Sequence, residues 1–276
     1  MKHSSGMRVY VGVSFGLAML VAAAPAAAQF QPRPLSDPAT GEAYVIEGSA
    51  ALWFPGSNVV VASEGFGIPG TTIDFVDDLG LTNRRINNLR VVLRPVEKHK
   101  LRFEYTPIKY QSSAVLPRSL VFNGIRFNQG LLVESELDWK AYRFAYEYDF
   151  ISRNRGFGGF IVEIKHTDVN AALATTGASE FSRAQAPIPA LGGIGRFYVV
   201  PNISVTFEMT GFKLPENLVR NATGHYVDVD VYGMLNFNRN LGAQFGYRSL
   251  DLGYVVEADQ GTYKLKGLYF GAVARY

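Results

Sequence analysis

Three histidines lie beyond the first thirty residues, His99, His166 and His225, and with Ser249, Asp168 and Asp251 they are the side chains best suited to acid–base or nucleophilic work. A hydrolytic site needs its nucleophile within hydrogen-bond reach of a base. His225 and Ser249 have the right types. The short turn at Asn238–Asn240, however, sets Ser249 opposite Val229, four residues along the strand from His225. That separation is roughly 13 Å of rise. Asp251 is a nearer diagonal neighbour of His225, at roughly 7 Å between backbones, and the pair reads as an ordinary rim hydrogen bond. His99 falls in a turn and is expected in solvent. His166 falls across from Lys140 or Tyr142, with Asp168 on its own strand as the nearby carboxylate. No catalytic residue is expected, and the chain is not expected to be an enzyme.

Metal and cofactor chemistry is equally poorly provided for. Asp74, Asp77 and Asp78 could gather a divalent cation, but their spacing is not that of a calcium loop and a solvated acidic loop accounts for them. The glycines of Gly65–Gly70 have no strand-to-helix setting in which to cradle phosphate. The chain has no cysteine, so neither disulfides nor thiolate-held metals are available. No cofactor is expected.

The elements that carry these residues are strands. Apolar residues are spread through the chain and not gathered into long runs, while the composition is rich in Gly, Tyr and Phe with 18% charged residues. The one sustained apolar run is Val9–Ala23, preceded by Lys2 and Arg8 and followed by Ala26-Ala27-Ala28. Residues 1–28 therefore read as a cleavable secretory signal. Of 27 basic residues two lie in that segment, which leaves 25 against 24 acidic, too balanced for a nucleic-acid partner. Residues 29–42, rich in proline, read as an irregular periplasmic lead-in, and 43–276 as the folded domain.

From Ala43 the sequence alternates with a period of two, the signature of strands whose faces meet different surroundings. The clearest case is Trp139–Phe150, where Tyr142, Phe144, Tyr146, Tyr148 and Phe150 share one face and Ala141, Arg143, Ala145, Glu147 and Asp149 the other. About ten such strands can be counted, with eight or twelve as alternatives, joined by alternating short turns and long excursions at Pro55–Asn88 and Gln111–Gly130. Val59–Val61, Thr71–Val76 and Ser119–Phe127 could extend hairpins outside the membrane. The expected fold is all-β, an antiparallel up-and-down transmembrane barrel. Hydrocarbon offers no hydrogen-bond partner, so a spanning sheet must close on itself. Trp53, Phe54, Tyr148, Phe150, Phe237 and Tyr276 would form an interfacial girdle.

With the polar face turned inward, the lumen receives Arg90, Arg94, Arg102, Arg143, Lys165, Arg196, Arg248 and Arg275. Facing them are Glu47, Glu104, Glu147, Asp149, Glu163, Glu208, Asp228 and Asp230. The turns would set Arg90 across from Glu104, Arg143 from Glu163 and Arg196 from Glu208. Such balanced charge suits either a hydrogen-bonded plug or a wet interior.

The closing stretch, Phe245–Tyr254 followed by Lys266–Gly271 and Tyr276, resembles that of small porin-like bacterial outer-membrane β-barrel proteins. The resemblance covers Leu241–Tyr276 and is architectural upstream. It implies residence in the outer membrane among lipid and lipopolysaccharide, and insertion by an outer-membrane assembly machinery that reads the last strand through Leu268, Phe270 and Tyr276. It implies no substrate; the leading expectation is a monomer with a structural or narrow passive-permeation role. The alternatives are a lipid-modifying barrel enzyme and an adhesin or receptor acting through the long external loops. An anchoring role through a separate peptidoglycan-binding domain, as some barrels have, is not expected.

Overall fold

A computed structural model of the chain describes residues 37–64, 67–215, 222–256 and 259–276. The expected signal segment 1–28, the expected lead-in as far as residue 36, and Gly65 and Phe66 lie outside the described residues. The strands are β1 (Ile46–Ala62), β2 (Ile73–Asp74), β3 (Ile86–Val96), β4 (His99–Val115), β5 (Leu120–Phe122), β6 (Ile125–Phe127), β7 (Leu132–Arg153), β8 (Gly156–Thr175), β9 (Ala178–Val200), β10 (Ile203–Leu214), β11 (Ala222–Asn236), β12 (Leu241–Val256) and β13 (Asp259–Arg275).

Ten of these, β1, β3, β4 and β7 to β13, form one antiparallel sheet in chain order. It closes where β13 pairs with β1, from Glu47 opposite Arg275 to Ala62 opposite Gln260. Closure removes both edges along the lower part of the wall, so the backbone there finds its partners inside the sheet. The Val45 amide bonds the Tyr276 carbonyl at 2.7 Å and the Tyr276 amide bonds the Ile46 carbonyl at 2.8 Å, sewing the last residue to the first strand. Residues 97–98, 154–155, 201–202 and 237–240 turn the chain at this same end, which in such barrels faces the periplasm.

Each long strand changes character once along its length. On β7, Tyr142, Phe144, Tyr146, Tyr148 and Phe150 point outward, Phe144 with 56% of its surface open, while Arg143, Glu147 and Asp149 are buried inside. Further up the same strand the outward residues are Glu134, Glu136, Asp138 and Lys140, and the buried ones are Val133, Leu137 and Trp139. β4 repeats this, with Leu101 and Phe103 outside Arg102 and Glu104 below, and Lys109 and Gln111 outside Ile108 and Tyr110 above. On β8 the change falls between Ile164 and His166. Tyr105, Tyr142 and His166 stand side by side across β4, β7 and β8 and mark one level. Below it the wall suits acyl chains outside; above it the wall suits water outside and an apolar interior. With Leu89, Val91, Leu191, Phe197, Val205, Phe207, Phe245, Leu268 and Phe270 also exposed, the lower part carries an apolar belt around the barrel.

The expected girdle divides accordingly. Phe54, Phe150, Phe237 and Tyr276 are exposed, but Trp53 points inward, 2% exposed, and donates its ring N–H to the Gly267 carbonyl. Its parity on β1 is that of Glu47, which is the physical reason for the correction.

Above the belt, the excursions are built pieces and not loose loops. β1 continues across Pro55 to Ala62, and β4 continues to Val115. β5 and β6 form a hairpin at Asn123–Gly124, whose φ angles of 47° and 80° fit the turn that an Asn-Gly pair favours. Ile73, Phe75 and Leu79 from the β1–β3 connection, with Leu120, Phe122 and Phe127 from the hairpin, are almost fully buried against Tyr110, Leu137 and Trp139. They form a lid packed into the external mouth. Arg118 clamps it, its Nε and Nη2 donating to Asp78 at 2.8 and 2.6 Å and Nη2 also to the Thr72 carbonyl at 2.7 Å.

Burial alone would raise the Asp78 carboxyl, but the Arg118 hydrogen bonds and the Asp74 backbone together hold it below its ordinary value of 3.8. A carboxylate whose value is depressed on folding stabilises the fold above its unfolded value and loses that contribution as pH falls through the folded one. The lid should therefore stay closed at neutral pH and loosen only below 3.8. Hydrogen exchange of lid amides, corrected for intrinsic rates, checks this. Arg118→Ala should show the loosened state already at neutral pH, and lid exchange that ignores both acid and the substitution would contradict the clamp.

Candidate functional site

The level enclosed by the apolar belt is filled by side chains of opposite charge that reach across the lumen. Glu104 on β4 takes Arg90 of β3 at 3.1 Å and Arg248 of β12 at 2.5 Å, with Arg143 of β7 at 3.6 Å. Glu208 on β10 takes Arg102 of β4 at 2.6 Å and Arg143 at 2.5 Å. Asp228 on β11 holds Arg248 and Lys165 of β8, each at 2.7 Å, and Tyr226 donates to it at 2.8 Å. Asp230 holds Arg90 at 3.3 Å and accepts from Tyr269 at 2.8 Å. Glu163 closes the circuit, at 2.5 Å from Arg143 and 3.3 Å from Lys165. Toward the periplasm, Glu147 meets Lys100 and Arg102 at 2.6 Å, and Lys100 reaches Asp149 at 2.8 Å. Every group in this network is less than a tenth exposed. A cavity of about 20 Å³ between Trp53, Glu104, Arg143, Lys165 and Arg248 is room for roughly one water.

A second layer closes the periplasmic mouth, and it comes from the lead-in. Glu42 turns into the barrel, where Arg196 and Tyr198 bond its carboxylate at 2.8 and 2.7 Å. Asn236 donates to the Thr40 carbonyl at 2.7 Å, the Thr40 amide bonds the Pro201 carbonyl at 2.6 Å, and Arg94 donates to the Glu42 carbonyl. Gly41 makes this possible. Its φ is +90° and a side chain there would strike the Arg275 guanidinium. Arg275 in turn bonds Glu47 at 2.5 Å and Asn236 at 2.8 Å. Phe157 lies beneath the Lys100 ammonium, 3.5 Å from ring centre, and beneath Arg196 at 5.2 Å.

Of the charges expected in the lumen, Glu47, Arg90, Arg102, Glu104, Arg143, Glu147, Asp149, Glu163, Lys165, Arg196, Glu208, Asp228, Asp230, Arg248 and Arg275 are all buried within the barrel. Arg94 is half-buried at the periplasmic rim, between the Glu42 and Glu97 carbonyls. Arg90 does stand opposite Glu104. The other two expected pairings shift. Arg143 stands opposite Lys165, because the tight turn closes at Arg153 opposite Gly156 and the bulge between Asp149 and Ile151 then shifts the register by only one residue, and it reaches Glu163 diagonally. Arg196 stands opposite Thr206, after an irregularity at Ile203–Ser204, and pairs with Glu42 in place of Glu208. Lys100 and Glu42 were missed. Lys100 shares the parity of Arg102 and Glu104 and could have been found from it; Glu42 sits in an aperiodic stretch with no such signal.

Ser249 stands opposite Val229, and His225 bonds Asp251 at 3.3 Å on the outer surface. His166 stands opposite Tyr142, and His99 bonds the Tyr146 hydroxyl at 2.6 Å. Asp74 and Asp78 are engaged by backbone amides and Arg118, and no group of three metal-ligating side chains occurs among the described residues. Leu268, Phe270 and Tyr276 all project from the outer surface of β13 and its end.

Removing one member of a buried ion network leaves its partners charged and dry. Arg143→Met strips a cation from Glu104, Glu163 and Glu208 together and should destabilise the barrel by about 3–5 kcal/mol, read by denaturant unfolding in lipid vesicles. A loss below about 1 kcal/mol would mean the interior is wet enough to solvate those carboxylates.

No protein-family model and no curated protein sequence matches the chain. Among solved structures it is similar to the outer membrane protease OmpT from Escherichia coli, with a TM-score of 0.55 at 7% identity over 88% of this chain and 100% of that one. Weaker likenesses include Ail, the attachment invasion locus protein of Yersinia pestis, at TM-score 0.34 and 13% identity over 83% and 98%. The toluene transporter TodX of Pseudomonas putida matches at 0.35 and 8% over 87% and 92%. The first likeness speaks for the fold alone, and the other two are too distant to argue from. A closed ten-stranded wall with an apolar belt outside and charge within has the architecture of a bacterial outer-membrane β-barrel, and the outer membrane is where such a belt is satisfied.

Proposed function

We propose that the protein is a sealed, monomeric outer-membrane barrel that anchors an external turret and conducts no solute. The observation that carries this reading is the ion network across the lumen, with Arg102–Glu208, Arg248–Glu104 and Lys165–Asp228 each joining strands that are not neighbours in the wall. A pore lined by one sign of charge attracts the opposite ion, whereas carboxylates and bases that satisfy one another offer a passing ion nothing. The Glu42 layer below and the apolar lid above add two further closures in series.

The turret is the part above the belt: the long ends of β7, β8 and β9 with the lid packed among them. Its interior is apolar like that of a soluble β-protein, so it can hold a fixed outer surface for contact beyond the membrane. Lys109, Lys140, Lys264 and Lys266 are exposed on the outer wall just above the belt, at the height of lipopolysaccharide phosphates, and support lipid and lipopolysaccharide as its immediate partners. The reading includes no catalytic step: the strand register keeps Ser249 away from His225, and His225 is engaged by Asp251.

Planar-bilayer recording of the purified protein tests the sealed barrel. The expected trace has no unitary conductance steps; reproducible steps would overturn the reading.

A further inference from the structure

The wall is incomplete above the belt. β9 pairs with β8 along its whole upper half, from Gly193 opposite Phe160 up to Ala178 opposite Thr175. Its pairing with β10 stops at Leu191 opposite Gly211. Above that point β10 continues to Leu214 bonded only to β11, where Lys213 stands opposite His225. Among the described residues, Ala178–Ala190 therefore has no strand partner on its β10 side; Ser63 reaches Ser182, and Asn123 of the lid reaches Glu180 and the Phe181 carbonyl. The local sequence accounts for the parting. Pro187 and Pro189 have no amide hydrogen to donate, and proline within a sheet is tolerated at edges.

The opening leads somewhere. A cavity of about 460 Å³ lies behind it, lined largely by apolar side chains. Val169 on β8, Ile188 on β9, Phe212 on β10 and Leu252 on β12 form its inner wall, all of inward parity. Arg183 and His225, of outward parity, stand at its rim. A space lined from both faces of a sheet passes through the wall. Its size is that of a small-ligand site. The mouth begins directly above Leu191 and Met209, two exposed apolar residues of the belt, so it opens at the boundary where hydrocarbon meets head groups. Below it, the network around Lys165 and Asp228 blocks any continuation toward the periplasm.

We infer that this lateral cavity binds the hydrocarbon chain of an amphipath. The chain enters between β9 and β10 and its head group stays at the polar rim. The apolar lining matches the chain, the position at the belt's upper edge gives it a route that never crosses water, and the rim, where Lys213 stands near the Arg183–Asp168 and His225–Asp251 pairs and Asp259, supplies polar partners for the head. Arg183 is already held by Asp168 at 2.6 Å, which fixes its position at the opening. The cavity is closed at depth, so the site captures and does not transmit. The inference is independent of the conductance result, since a barrel with or without a pore would keep this side opening.

The test uses the full-length mature protein in proteoliposomes and two photoreactive probes in separate arms: a long-chain fatty acid and a phosphatidylglycerol, each with a diazirine near the chain end. Adducts are mapped by mass spectrometry. The expected result is labelling of Val169, Ile188, Phe212 or Leu252 in at least one arm, and which arm labels identifies a free amphipath or a bilayer lipid as the source. Leu252→Trp, which fills the cavity from β12, should cut that labelling about tenfold or more while belt residues such as Val205 remain labelled. Ile188→Trp serves the same purpose if the first variant does not fold. Labelling confined to the belt in both arms, or inner labelling unchanged by a folded cavity-filling variant, would overturn the inference.

Discussion

A guanidinium or carboxylate enclosed by a wall that faces hydrocarbon has no bulk water to solvate it, and the barrel interior is built around that constraint. Each buried charge in the belt level meets an opposite charge, and the partner often comes from across the lumen and not from the next strand. Arg248 joins β12 to β4, Arg102 joins β4 to β10, and Arg90 joins β3 to β11. The network thus braces the wall across its diameter. Buried ion pairs of this kind add little net stability over a packed apolar core, but breaking one is costly, so they define a single arrangement of the strands.

The same constraint explains why the wall changes character at one height. Where acyl chains lie outside, the inner face must be the polar one if the barrel is not to be apolar throughout. Where water lies outside, the usual logic of a soluble sheet returns and the apolar residues move inside. Residues of one parity on β7 accordingly run from Val133, Leu137 and Trp139 to Arg143, Glu147 and Asp149. The upper region then behaves as a small core of its own, large enough to draw in the lid from the β1–β3 connection and the β5–β6 hairpin. It is also where the wall can part between β9 and β10, since water can satisfy a strand edge that hydrocarbon could not.

The belt level was legible in the sequence because contrast there is high: Tyr142 to Phe150 against Arg143 to Asp149 leaves little doubt of faces, and the ten strands follow from such segments. The upper halves of β8 and β9 were not read as strands. Ala171, Ala172 and Ala174 blur the alternation of β8, while Ser182, Gln185, Pro187 and Pro189 in β9 resemble a loop. The inversion itself also hides these segments, since a pattern sought as greasy outside and ionic inside does not continue through them. Cross-strand partners were the least legible feature, because all three hairpins in question carry a register irregularity. Arg90 still meets Glu104 beyond the shift between Leu93 and Val96, whereas the exact turn positions and one-residue shifts of β7–β8 and β9–β10 bring other residues opposite Arg143 and Arg196, and side-chain pattern encodes none of these. The role of Glu42 depends on Gly41 and on acceptors from distant strands, so no local signal announces it.

The most direct test of the two-level wall is a scan of single cysteines along β7, since the native chain has none. Each is spin-labelled in proteoliposomes and its collision rates with oxygen and with a water-soluble nickel complex are measured. The account predicts that labels at 144, 146 and 148 meet oxygen and not nickel, labels at 134, 136 and 138 meet nickel, and labels at 145 and 147 meet neither. Free access of nickel to 145 and 147 would reveal a water-filled lumen and contradict the account.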